Sequence, residues 1–157
     1  YTPELCQAMG GLTDGADVLT PNITEASILT GTEYPGQDID DDTVRAIVDR
    51  LLAMGAKNVV LKGIDRGDGK LRNYVAGTSL EMTCVAHDKL PYMLHGTGDL
   101  YASGLTAAIM AGKDLVEAVR FAGEFVRHAM EITRYQPDYQ MRGVSFEPVL
   151  GEVAALL

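Results

Sequence analysis

The sequence predicts an α/β domain built around a central sheet, and three observations predict it. Two short apolar runs, Ala16-Asp17-Val18-Leu19-Thr20 and Asn58-Val59-Val60-Leu61-Lys62, read as buried strands. Between them, Val44, Ile47, Val48, Leu51 and Leu52 recur at helical spacing. The order strand–helix, helix–strand, hairpin, helix–helix is that of helices packed on a sheet. A length of 157 residues is enough for one domain with a real core.

The elements follow in order. Residues near 3–12 predict a short helix with Pro3 in its first turn. The first strand is stopped by Pro21, and a helix from about Thr24 to Leu29 ends at Gly31. The run Asp38-Ile39-Asp40-Asp41-Asp42 places negative charge at the start of the next helix, where the macrodipole favours it, and Gly55 follows that helix. Gly63 to Gly69 predicts a loop or hairpin turn, and residues 71–76 and 80–86 predict strands. His87 to His95 is a looser segment, with His87-Asp88 read as a polar loop facing solvent. A long apolar helix from about Thr97 to Ala111 comes next. Asp114, with Glu117 three residues on, caps a helix reaching about Thr133, and 147–157 predict a last short helix. Met54, Met110 and Met130 fall at helical positions and read as core filler.

Composition excludes some function classes. The chain is 46% hydrophobic and 22% charged, as in ordinary globular proteins. Its net charge of -9 disfavours nucleic acid or an anionic membrane as a partner, because both reward clustered Lys and Arg. A small anionic ligand remains compatible, since it feels local donors. No apolar run reaches the roughly 20 residues of a membrane span. Two cysteines, Cys6 and Cys84, without metal-like spacing read as unpaired thiols in a reducing cytoplasm.

Gly96-Thr97-Gly98-Asp99 opens a helix that continues with small residues Ala102, Ser103, Gly104, Ala107 and Ala108. Free N–H groups and the dipole at a helix start suit a phosphate, and the glycines let it approach the backbone. Thr97 can add a hydroxyl donor. A carboxylate at Asp99 would be repelled by that phosphate, unless it accepts a proton from an attacking alcohol. The competing reading is that Asp99 caps the helix and the glycines turn the chain. A second candidate group, Thr20-Pro21-Asn22-Ile23-Thr24-Glu25, ends the first strand, where ligands of α/β sheets gather. Asn22 and Glu25 suit a hydrated Mg²⁺, and equally a capping box. Lys62-Gly63, at the end of the next strand, suits nucleotide phosphates or a solvated turn.

These three segments in this order resemble the ribokinase superfamily, and more nearly its vitamin B6 (pyridoxal, pyridoxine, pyridoxamine) kinases. Thr20 to Ala26 resembles their T-P-N-x-x-E-A segment, and His95 to Ser103 resembles their G-T-G-D-[LVI]-[FY]-A segment. Tyr1-Thr2-Pro3-Glu4-Leu5 is similar to the stretch after the family's D-P-V-M-G-D segment, and Gly143-Val144-Ser145-Phe146-Glu147 to a C-terminal segment of bacterial members. The resemblance covers residues 1–157 as a single C-terminal portion of a three-layer α/β/α kinase domain, and the start at Tyr1 reads as a start within a longer chain. An uncovered sheet edge and apolar helix faces are then expected.

The resemblance implies ATP-dependent phosphorylation of the 5′-hydroxyl of a B6 vitamer. Asp99 would be the general base, and Gly96, Thr97 and Gly98 the anion hole. Asn22 and Glu25 would organise Mg²⁺, while Thr20, Lys62 and Gly63 lie along the nucleotide. Tyr1 would lie near the pyridoxal ring, and Val85 to Leu94 would form a lid. A cytoplasmic homodimer acting on a small molecule, with ATP and Mg²⁺ and without nucleic acid or membrane, is the expected setting. Hydroxymethylpyrimidine (phosphate) kinases of thiamine synthesis are the alternative. Members of that group often carry Cys where Asp99 stands, which favours the B6 reading. A nucleotide-binding, non-catalytic fragment is the third possibility.

Overall fold

The computed structural model describes residues 3–156. The chain divides into two compact units, one ending at Ala86 and the other beginning at His87. The first unit begins with helix α1 (Pro3–Gly10) and continues with α2 (Ile23–Thr30) and α3 (Asp41–Ala53). Three strands follow, β1 (Asn58–Asp65), β2 (Lys70–Gly77) and β3 (Leu80–Asp88), in the spatial order β1-β2-β3. α3 forms because Val44, Ile47, Val48 and Leu51 make one apolar stripe, all buried. The Asp40 carboxylate accepts the Thr43 N–H at 2.8 Å and sets where that helix starts. The stripe packs with Val59, Leu61 and Ile64 of β1 and Tyr74 and Ala76 of β2 in one core, and Met54 joins its edge.

The segment expected as the first strand runs parallel to β1 but is interrupted. Leu19 N–H donates to Asn58 O at 2.9 Å, Val60 N–H to Leu19 O at 2.8 Å, and Lys62 N–H to Pro21 O at 2.9 Å. Pro21 has no N–H to continue the ladder, so isolated bridges at Leu19–Val59 and Asn22–Lys62 replace a regular strand. The turn expected over Gly63 to Gly69 is shorter than its glycines suggest. β1 continues to Asp65 because Ile64 is drawn into the core, and a register shift between Leu61 and Ile64 absorbs Lys62 and Gly63 as a bulge. β3 has β2 as its one neighbouring strand among the described residues. Leu12 and Ile28 are exposed apolar side chains of this unit.

Outside the core, the Asp41 carboxylate accepts hydrogen bonds from Arg66 Nη2 at 2.6 Å and Tyr74 OH at 2.7 Å. These two bonds, the guanidinium's first, hold the Asp41 carboxyl below its ordinary value.

The second unit is helical: α4 (Thr97–Met110), α5 (Leu115–Thr133), a single turn α6 (Tyr139–Arg142), a 3₁₀ turn (Glu147–Val149) and α7 (Leu150–Ala154). Asp114 caps α5 by accepting the Glu117 N–H at 2.9 Å. Leu100, Phe125, Ala129 and Val149 form the core. Small residues bring the two long helices together: a Cβ on Gly104 would stand 3.1 Å from Phe125 Cδ1. Met110, expected in the core, is 80% exposed because it is the last residue of α4 and its helix turns it away from the packed face. α6 lies in a stretch for which the sequence pattern gave no expectation.

His87 is also not in a solvent-facing loop. It is the penultimate residue of β3, is 8% exposed, and stands with Nδ1 3.4 Å from Glu124 Oε1. A Cβ on Gly123 of α5 would lie 1.9 Å from His87 Nε2, so the ring occupies the space that this glycine leaves. Tyr92 OH donates to Met130 O at 3.1 Å and Leu94 is buried, which ties the segment expected as a lid to the helical unit.

Two outcomes are expected. Gly123→Ala should lower stability by about 1–3 kcal/mol, as overpacking does, measured by urea unfolding. Gly123→Ala combined with His87→Ala should recover most of that loss. The stabilisation from Asp41 is fully present above its unfolded-state pKa of about 3.9 and is lost as pH falls through the lower folded value. The difference in unfolding midpoint between wild type and Asp41→Asn should therefore be largest near neutral pH and shrink progressively below about pH 4.

Candidate functional site

The first candidate group lies in the first unit and is built by the parallel pairing with β1. That pairing sets Thr20 to Asn22 beside Lys62, since Lys62 N–H bonds Pro21 O and Asn22 bridges Lys62. Asn22 caps α2: its Oδ1 accepts the Glu25 N–H at 2.9 Å, and Glu25 Oε2 accepts the Asn22 N–H at 2.8 Å. The capping box anticipated as one of two readings is thus formed. It uses only one Glu25 oxygen, and the side chain is 44% exposed. Lys62 Nζ donates to Thr20 O and lies 3.8 Å from Glu25 Oε2.

Gly63 sits in the β1 bulge, where its N–H donates to Asn73 Oδ1 at 3.0 Å. Asn73 was not a sequence candidate. It is 4% exposed in the middle of β2, and its amide shapes the strand end that carries Lys62 and Gly63. The available signal was an amide within a strand, where β-propensity disfavours it.

The donor set fits Mg²⁺ in one specific way. Mg²⁺ keeps several waters and takes one or two protein oxygens. Glu25 has an uncommitted oxygen, whereas Asn22 Oδ1 already accepts a backbone N–H, so contact through water suits this pair. No group of three or more His, Cys, Asp or Glu side chains suited to a metal occurs among the described residues.

The second group lies in the second unit, at the start of α4. Gly96 is the N-cap, with φ 85° and ψ -3°, and no side chain caps the helix. A left-handed N-cap favours glycine, which explains that residue by backbone geometry alone. The first helical bond runs from Leu100 N–H to Gly96 O at 3.0 Å, so the N–H groups of the first turn ahead of it have no intrahelical acceptor. A Cβ at Gly98 would meet open space, and this turn is accessible from outside. The Thr97 hydroxyl points back and donates to Leu94 O at 3.3 Å, which leaves backbone N–H groups as the donors of this turn.

Asp99 is exposed and caps nothing; its carboxylate has no hydrogen bond or ion pair among the described residues. It stands at the mouth of a groove of about 480 Å³ that runs along α4 past Ser103 and Ala107 and is walled by Phe125, Val144 and Phe146. An uncapped helix start beside a free carboxylate can bind an anion and accept a proton at neighbouring points. Two residues on, Tyr101 is 6% exposed and its hydroxyl has no partner among the described residues; burial pushes the phenol well above its ordinary value. His95 is exposed, and its backbone carbonyl accepts the Val144 N–H at 3.0 Å. Tyr1, the candidate for the substrate ring, lies outside the described residues, as does the side chain of Cys6; Cys84 is a free thiol. No helix among the described residues is long and apolar enough to cross a membrane.

Comparison with known proteins shows the family. The family model described as phosphomethylpyrimidine kinase matches residues 1–144. A hydroxymethylpyrimidine/phosphomethylpyrimidine kinase of Aquifex aeolicus is 31% identical over 120 residues, covering 73% of this chain and 44% of that protein. A pyridoxine/pyridoxal/pyridoxamine kinase of Bordetella avium is 31% identical over 133 residues, covering 83% of this chain and 43% of that protein. The crystal structure of pyridoxal kinase from Lactobacillus plantarum superposes with a TM-score of 0.84 at 26% identity, over 99% of this chain and 55% of that one. The chain spans less than half the length of the curated relatives it matches. It belongs to the phosphomethylpyrimidine kinase family, the ribokinase-like kinases that include both hydroxymethylpyrimidine kinases and pyridoxal kinases.

Proposed function

We propose that the chain is the C-terminal portion of an ATP-dependent kinase that phosphorylates the 5′-hydroxyl of a B6 vitamer. One observation carries the reading: α4 starts without a side-chain cap, and the Asp99 carboxylate in its first turn is exposed and uncommitted among the described residues. A capping role would have engaged that carboxylate.

In this reading the backbone N–H groups from Gly96 to Gly98 hold the oxygens of the γ-phosphoryl group as charge develops on them. The Asp99 carboxylate accepts the proton of the substrate hydroxyl while that oxygen forms its bond to phosphorus. The bond from phosphorus to the bridging oxygen of ADP breaks, and ADP leaves. Thr20, Lys62 and Gly63 line the nucleotide phosphates. Asn22 and Glu25 would hold Mg²⁺, which would supply neutralisation of phosphate charge. Tyr1 contributes to the vitamer side, and a homodimer is the assembly that the family resemblance favours.

A second reading, phosphorylation of hydroxymethylpyrimidine or its phosphate, is favoured by the matching family model and by the Aquifex relative. Pyridoxal and hydroxymethylpyrimidine both present a free hydroxymethyl group on an aromatic ring, so the chemistry at Asp99 is common to these two. Specificity constants measured side by side on pyridoxal and on hydroxymethylpyrimidine separate the two. A higher kcat/KM on hydroxymethylpyrimidine would overturn the B6 reading.

Asp99→Asn should reduce kcat by about 10²–10⁴-fold, the span of general-base contributions, with ATP affinity by calorimetry nearly unchanged. Wild-type turnover in this variant would remove Asp99 from the chemistry. Glu25→Gln separates the cap from the cation, because glutamine at the third helical position keeps a capping box. Thermal stability should change little, while the Mg²⁺ concentration for half-maximal rate rises. An unchanged Mg²⁺ dependence would leave Glu25 as a cap alone.

A further inference from the structure

The first turn of α4 has no side-chain cap, so something else must fix the direction of its N–H groups. We infer that Thr133 and Gly143 are positioning residues for this turn: Thr133 anchors residues 143–145 as a strap, and Gly143 lets the strap clamp the His95–Gly96 peptide. The inference rests on reading the turn as the phosphate site.

The contacts form a continuous path within the second unit. Val144 N–H donates to His95 O at 3.0 Å, and a Cβ on Gly96 would stand 3.5 Å from Val144 Cγ1. The strap therefore both bonds and packs against the turn. Gly143 has φ 78° and ψ -173°, a region open essentially to glycine alone. A Cβ there would also stand 3.0 Å from His95 O, against the carbonyl that Val144 grips.

The other end of the strap is tied to α5. Ser145 N–H donates to Thr133 Oγ1 at 2.9 Å, and Ser145 Oγ donates to Gln136 Oε1 at 2.7 Å. Thr133 is fully buried, and its hydroxyl donates in turn to Ala129 O at 2.6 Å. This one hydroxyl spends its proton on the helix and a lone pair on the strap, so the polar group is what the position requires. The end of α5 thus holds the beginning of α4 through three residues of extended chain. Donors aimed at a transferring phosphoryl group lose effect steeply when displaced by a fraction of an ångström to one ångström.

The test uses the full chain and two readouts that do not need turnover. Thr133→Val keeps the shape and removes the acceptor; Thr133→Ser keeps the acceptor. In Thr133→Val, amide hydrogen exchange should accelerate at Val144 and over 96–99 while the middle of α5 keeps its protection. Affinity for inorganic triphosphate should fall about ten- to a hundredfold. Where turnover is measurable, kcat should fall with KM for the alcohol substrate unchanged, and Thr133→Ser should behave as wild type in all three. Gly143→Ala, which leaves α5 intact, should reproduce the loss and guards against a folding defect in the threonine variant. Unchanged exchange at Val144 and over 96–99 in both variants overturns the inference, as does acceleration spread evenly over the whole unit. Its failure is distinguishable from failure of the kinase reading: Asp99→Asn with undiminished turnover would sink the latter without touching the exchange pattern.

Discussion

The first candidate group depends on a few backbone hydrogen bonds between residues 16–22 and β1. Leu19 and Pro21 accept from Val60 and Lys62, and these bonds fix two chain segments in parallel with their carboxyl ends level. Everything the first unit offers to a ligand follows from that register. Asn22 and Glu25 come at the start of α2 because the strand stops at Pro21. Lys62 stands opposite because its own N–H is the last to reach across. A slip of one residue would turn the Lys62 side chain to the other face of the sheet and exchange it with Leu61, whose side chain fills the core.

The second unit solves a different problem. The start of α4 is not closed by its own side chains, so its geometry is imposed from outside. Gly96 supplies the backbone conformation, and the segment after α6 supplies the grip. The small residues of α4 and α5 have a related purpose: Gly104 admits Phe125, and Gly123 admits the ring of His87. In each case an absent side chain makes room for a neighbour that fixes the position of a helix.

Much of this was legible in the sequence, and the reasons differ by element. α3 was readable because one apolar stripe and an acidic start point the same way, and α5 because Asp114 and Glu117 frame its first turn. Gly96 to Asp99 was readable as a helix start, but not as an uncapped one, because whether a carboxylate caps depends on a rotamer and a backbone angle that spacing does not encode. Asn22 and Glu25 were ambiguous in the sequence for a physical reason: the same two oxygens suit a backbone N–H and a hydrated cation. His87 misled because a histidine next to an aspartate looks solvated, and its burial depends on Gly123, thirty-six positions away. Asn73 and Thr133 escaped notice because each stands in a stretch of mixed polarity, where a polar side chain carries no signature of the backbone group it will bond. The extension of β1 past Gly63 escaped because a bulge, not a turn, accommodates that glycine.

The open start of α4 is a small positive field on a chain whose net charge is -9. An anionic ligand therefore meets repulsion at long range and attraction only within the last few ångströms. Ions screen the first over a Debye length of roughly 8–10 Å and barely reach the second. In the proposed reading, encounter with such a ligand would be hastened by moderate ionic strength, the reverse of the behaviour of proteins that steer their ligands with a basic surface.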